Sequence, residues 1–230
     1  MKRFWTAVAV DEVNGGFGVS LDAQALKTPA KAALVVPTRP LAEAIAAEWE
    51  ATGETVDPRM MPMTGLANAA IDRAGEDLIA GIVRYAGSDQ FCYRAEGPTP
   101  LVERQVEAWD ALLGWAQHRY EVEFATCSGV VHVDQPSETI RKLSDAVSML
   151  DRFRLAALSP LVTIGGSLIA GLAVLEQAIP PETAWDGVSL DERWQLEKWG
   201  SDAEAEAALD AKRADFLAAA RFLELLRQAA

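Results

Sequence analysis

Cysteine and histidine are scarce in this chain of 230 residues, which carries two of each. Two thiols, Cys92 and Cys127, cannot build a disulfide framework, and their spacing excludes a C-x-x-C zinc or redox motif. His118 and His132 belong to no H-E-x-x-H string and have no partners at metal-ligand spacing, so neither is expected to hold a metal or act in catalysis. Basic residues are outnumbered: 21 Lys plus Arg stand against 34 Asp plus Glu, a formal net charge of −13. That deficit excludes a nucleic-acid binder, because phosphate neutralisation needs Lys and Arg to release counterions. An anionic membrane surface is disfavoured for the same reason.

No glycine-rich phosphate loop is present; Asn14-Gly15-Gly16 reads as a hairpin turn. Gly165-Gly166-Ser167 begins a nucleophile elbow, but Ile169 stands where the second glycine should be. The start Met1-Lys2-Arg3-Phe4-Trp5 has neither a continuous apolar region nor an Arg- and Ser-rich leader, so the cytoplasm is the expected compartment. Carboxylates are plentiful, yet a catalytic pair needs pKa values separated by burial, which a sequence does not display.

What the chain does have is half hydrophobic and a quarter charged residues, the composition of a folded globular protein. Its longest uncharged run, Leu155 to Leu175, covers 21 residues, about 31 Å if helical. That is enough to cross a bilayer. Ser159, Pro160, Thr163, Gly165, Gly166, Ser167 and Gly171 interrupt it, and Ser159-Pro160 reads as an N-cap with a proline at the first helical position. A buried central helix from Pro160 to Gln177 is expected, with no stable membrane insertion.

The first 36 residues read as β structure: Arg3 to Val10, a turn to Gly16, Phe17 to Leu21, then short strands at Ala25 to Thr28 and Ala33 to Val36. Thr38 can cap a helix on which Leu41, Ile45 and Trp49 form one apolar stripe. Thr64 can cap a second helix, and a third runs from Glu76 to Ala86. Phe91-Cys92-Tyr93 reads as extended. Beyond Pro98 the pattern is helical, over Pro100 to Arg119, Ser137 to Leu158, Pro160 to Gln177, Pro181 to Trp199 with a break near Gly187, and Asp202 to Arg227. Glu121 to Val133 is the extended exception. The expected fold class is therefore α+β: an N-terminal antiparallel β meander with helices over residues 1–90, then an all-helical bundle domain over residues 91–230.

Three features suit a binding surface. Met60-Met61-Pro62-Met63 holds three of the five methionines, either filling gaps beneath a loop or offering an adaptable apolar contact. Pro180 to Asp210 holds nine acids against Arg193 and Lys198, a local charge of −7. It is either a solvated helix face or a dock for basic groups. Trp185, Trp194 and Trp199 lie in the same stretch, as core residues or interface anchors. Ser189-Leu190-Asp191-Glu192 fits a capping box, which gives Glu192 a structural reading beside a functional one.

Several strings fall together in the order and spacing of one family. They are Phe4-Trp5, Gly16-Phe17, Leu26-Lys27-Thr28-Pro29, Val36-Pro37, Glu48-Trp49, Met61-Pro62-Met63-Thr64, Asn68-Ala69-Ala70-Ile71-Asp72, Cys92-Tyr93-Arg94, Trp109-Asp110, Gln195 and Trp199-Gly200. Over nearly its whole length the chain resembles the assembly chaperones of the F-type ATP synthase that bind the free alpha subunit, a family with mitochondrial and bacterial members. The resemblance implies an α+β domain followed by a helical one, and binding in place of catalysis. The client would be the alpha subunit, its apolar interface masked until the beta subunit replaces the chaperone. No cofactor is implied.

Carried over residue by residue, it implies a partner-binding role for an acid before the Gln195 to Gly200 string, Glu192 ahead of Asp191, beside Gln195 and Trp199 of the string itself; Trp194, of the aromatic trio, joins them as a candidate anchor. Met61 and Met63 would add adaptable apolar contact. Trp49, of the Glu-Trp pair, would matter through folding. The mitochondrial targeting extension is missing, which points to a bacterial-type member, and a cytoplasmic monomer is expected. Asp186-Gly187 departs from the family by interrupting a helix. The competing reading is a carboxylate-dependent hydrolase in an inter-domain cleft.

Overall fold

In the computed structural model, which describes residues 2–129, 131–200 and 202–228, the Asn14-Gly15 turn folds β1 (Val8–Val13) back onto β2 (Gly16–Leu21). β2 is the centre of the sheet. Its other edge takes β3 (Gln24–Ala25) near one end and β4 (Val35–Val36) near the other, all antiparallel. Phe17, Val19 and Leu21 alternate into the core, as the period of a half-buried strand requires. Gly16 sits at φ +146, and a Cβ there would run into the Val36 carbonyl oxygen, so only glycine lets β4 approach.

α1 (Arg39–Glu50) packs against this sheet through Leu41, Ile45 and Trp49, the stripe that its periodicity predicts. Thr38 precedes it but caps nothing: its hydroxyl donates to the Leu225 carbonyl at 2.9 Å. α2 (Pro62–Asp72) starts two residues before Thr64. Its first amides are met by the Glu48 carboxylate, which accepts from Met63 N at 2.7 Å, Thr64 N at 2.8 Å and Thr64 Oγ1 at 2.7 Å. The expected cap at Thr64 is thus replaced by an acid from another helix.

α3 (Glu76–Val83) runs into a 3-10 turn, Arg84–Gly87. Phe91 and Cys92 also lie in a 3-10 turn, and the extended segment begins only at β5 (Tyr93–Arg94). It pairs in parallel with β6 (Cys127–Ser128), the one regular strand among the described residues of the stretch expected to be extended. α4 (Thr99–Tyr120) and α5 (Ser137–Ser148) follow.

The largest departure concerns Ser159-Pro160, which starts no helix: α6 spans Arg152–Gly165 with Pro160 inside it. The breaks fall where side chains satisfy free amides. Asp151 accepts from Phe153 N and Arg154 N at 2.9 and 3.0 Å, and Ser167 caps α7 (Leu168–Leu175) through Ala170 N. α7 is buried from Leu168 to Val174. Among the described residues no helix is long and apolar enough to cross a membrane.

α8 (Pro181–Val188), α9 (Leu190–Trp199) and α10 (Ala203–Arg227) complete the chain. Gly187 lies inside α8 and accepts from Trp109 Nε1 at 2.8 Å; the break comes at Ser189. The fold is α+β, an N-terminal antiparallel meander with helices followed by a helical bundle.

Two compact units result. One holds the described residues up to Gly75, Asp151–Ala157 and those from Ala218 onward, and it contains the sheet with α1 and α2. The other holds Glu76–Leu150 and Leu158–Leu217. In this second unit Phe91 stacks on Trp109 at 5.4 Å between ring centroids, and Arg94 lies over the Trp109 ring at 5.0 Å.

Candidate functional site: an acidic-rimmed groove between α9 and α10

Two helix faces with the same spacing meet in the second unit. On α9, Glu192, Gln195, Leu196 and Trp199 fall at i, i+3, i+4 and i+7, which is one side of a helix. On α10, Ala205, Ala208, Leu209 and Lys212 repeat that spacing. The faces line a groove of about 400 Å³, to which Gly200, at the end of α9, and Asp202, just before α10, also contribute. Gly200 holds φ +89, a left-handed conformation that suits glycine. Asp202 starts α10, its carboxylate accepting from Glu204 N at 3.2 Å.

The floor is apolar and stands open: Trp199 is 80% exposed. The first half of α10 is exposed on nearly every side, and only from Phe216 on does the helix enter a core. Aromatic and apolar surface left open in this way marks interaction sites. Acids supply the rim. Glu192 accepts from Lys212 Nζ at 2.8 Å across the groove.

The capping box expected at Ser189 is not made. The Ser189 amide already donates to the Trp185 carbonyl at 2.9 Å, and its hydroxyl donates to that same oxygen at 2.7 Å. Because α8 runs into α9 with one residue between, the amide that Glu192 would cap is taken. Glu192 is left on the surface.

The opposite side of α9 is structural. Trp194 is buried, with Arg104 at 4.8 Å and Lys198 at 4.6 Å from its ring centre. Arg104 also reaches Glu197 at 2.9 Å. Asp191 is half-buried and accepts from Gln105 Nε2 at 2.8 Å, tying α9 to α4. Of the residues singled out by sequence, the groove gathers Glu192, Gln195 and Trp199, while Asp191 and Trp194 hold the helix that carries them.

Met61 and Met63 lie in the first unit, each 4% exposed, and only Met60 of that string reaches the surface. As the protein stands they fill gaps in the core. Trp49 is 9% exposed and packs edge-on against Trp5 at 5.2 Å.

Sequence reasoning missed the α10 side of the groove altogether. The signal was Ala205, Ala208, Leu209 and Lys212 at helical spacing. Two alanines, a leucine and a lysine offer little hydrophobic contrast, so the stripe passes for part of a solvated acidic helix.

The acid that a hydrolase would need is committed elsewhere. Asp89 is 1% exposed and accepts from Phe91 N, Ser167 Oγ and Ile169 N, each at 3.0 Å. Burial pushes its carboxyl up to about 6, against the bonds it accepts, which favour the ion. These bonds join the Gln90–Cys92 turn to the start of α7. They are those of a structural cap.

Comparison with known proteins agrees with the fold. The family model described as ATP12 chaperone protein matches residues 2–117. Over 215 residues the chain is 27% identical to the mitochondrial protein atp12 of Schizosaccharomyces pombe, with 87% of this chain and 74% of that protein covered. The crystal structure of Atp12 from Paracoccus denitrificans matches with a TM-score of 0.92 at 41% identity, covering 98% of each chain. The Atu1473 protein of Agrobacterium tumefaciens matches with a TM-score of 0.92 at 39% identity, covering 98% of this chain and 86% of that one. The family is one of chaperones, not of enzymes. By sequence over half its length and by structure over nearly all of it, this chain belongs to the ATP12 chaperone family.

Proposed function

We propose that the protein is an assembly chaperone of the F-type ATP synthase, acting as a cytoplasmic monomer that binds the unassembled alpha subunit. It masks the apolar interface of that subunit until the beta subunit takes its place. Membership of the ATP12 chaperone family supports the assembly role. The observation that carries the binding role is the open groove between α9 and α10, where an exposed tryptophan and leucines sit inside a rim of acids.

An unassembled subunit exposes the surface that its partner will later cover, and such surface drives aggregation. A groove with an apolar floor can shield part of it. Acids around the rim raise the encounter rate and select the partner more than they add affinity. Exchange for beta then requires only that the chaperone complex be weaker than the final alpha–beta contact. Binding alone accomplishes this, with no bond made or broken.

Dilution of denatured alpha and beta subunits, separately, into buffer with and without the protein tests the reading by light scattering. Suppressed scattering with alpha alone is the expected result. Equal suppression of both, or of neither, rejects alpha as the client.

A further inference from the structure

Lys212 and Glu192 are both about half exposed, at 50% and 48% of their side chains, and their ion pair spans the groove. A surface pair of this kind contributes little. It is weak enough to be exchanged. Beside it lies the apolar floor of Leu196, Trp199 and Leu209, in a volume of about 400 Å³. That volume falls within the roughly 300–1,000 Å³ of pockets that enclose a whole ligand, so a large side chain with its neighbours fits.

We propose that the groove receives a client segment presenting a large apolar side chain next to an arginine, and that Lys212 keeps the arginine's place at Glu192 until the client arrives. The proposal rests on the reading of this groove as the client surface and adds the chemistry of the segment it takes. Charge decides among occupants. The chain carries −13 overall, and the groove's own lining sets Glu192 and Asp202 against Lys212, so a second copy would meet like charge. A basic segment meets the opposite. Arginine suits Glu192 better than Lys212 does, because a planar guanidinium offers a carboxylate two parallel hydrogen bonds where an ammonium offers a point charge. The apolar neighbour supplies the anchor: a buried aromatic or aliphatic side chain carries most of the energy in such contacts.

Lys212 is therefore a competitor, and its removal has a sign opposite to that of an ordinary interface residue. Lys212→Met should tighten binding by about two- to five-fold, the value of the pair it breaks, whereas Trp199→Ala should weaken it by about tenfold or more. Both side chains are well exposed, so both variants should melt with the wild-type protein.

Fluorescence anisotropy with labelled synthetic helical peptides reads the groove without the client. One peptide carries Phe and Arg four residues apart, and two controls carry Arg→Glu or Phe→Ala. The Phe/Arg peptide should bind wild type at least tenfold more tightly than either control, and more tightly still to Lys212→Met. Equal binding of all three, no binding of any, or weaker binding to Lys212→Met overturns the proposal. Peptide discrimination that persists while the isolated alpha subunit fails to bind would reject alpha as the client and leave the groove chemistry standing.

Discussion

Trp49 and Asp89 show how single residues act here through the fold. Trp49 fills the space between α1 and the Trp5 ring, so its truncation leaves a cavity. Trp49→Ala should cost about 3–5 kcal/mol in urea unfolding, while the correctly folded fraction binds client normally. A folded but non-binding variant would place Trp49 in the interface instead. Asp89 carries a prediction about pH. Its carboxyl is raised by burial from 3.8 to about 6, so the folded state holds its proton where the unfolded state has lost it. The stabilisation is complete below pH 3.8 and is lost as pH rises through about 6. Compared with Asp89→Asn, which does not titrate, the wild type should gain on the order of 3 kcal/mol between pH 7 and pH 4. A stability difference independent of pH would contradict this.

At the scale of elements, helix spacing and close packing explain most of what the chain does. α7 approaches α6 closely because Gly171 has no side chain: a Cβ there would lie 2.8 Å from Val162 Cγ2 and 3.0 Å from Leu158 Cδ1. Gly171→Ala should destabilise by about 1–3 kcal/mol in spite of alanine's better helix propensity. A stabilised variant would mean that the two helices part without cost. The same elements show what a sequence can reveal. Leu41, Ile45 and Trp49 were legible because one helix face records its burial in its own periodicity. The meander was legible through its turns. Some helix starts were legible too, since Glu76, Ser137 and Pro181 open helices where the sequence puts them. The expected caps were not, because their partners lie elsewhere: the Thr38 hydroxyl turns to Leu225, the start of α2 takes Glu48 from α1, and the Ser189 amide is already held by Trp185 one turn earlier. Pro160 misled for a related reason: Asp151 and Ser167 cap the helices on either side, and the proline rides within α6. Half of the groove was legible, in Glu192, Gln195 and Trp199. The α10 half was written in alanines, and only the folded helices bring it opposite.

Taken as a whole, the molecule is acidic, with −7 of its −13 lying between Pro180 and Asp210, the stretch that carries α9 and the start of α10. Long-range attraction of this kind is screened within about 10 Å at 0.1 M salt. The association rate with alpha should therefore fall several-fold between 50 and 500 mM NaCl, with a smaller change in dissociation, by stopped-flow mixing. A rate indifferent to salt would assign the acids to solvation alone. The placing of its indoles gives the molecule one more property. Of the seven tryptophans, Trp199 is the one that stands exposed, and the other six are buried or half-buried. A neutral quencher such as acrylamide should reach Trp199 first, and an occupied groove should shield it. The unmodified protein thus carries its own optical gauge of occupancy, placed at the groove whose filling would be measured.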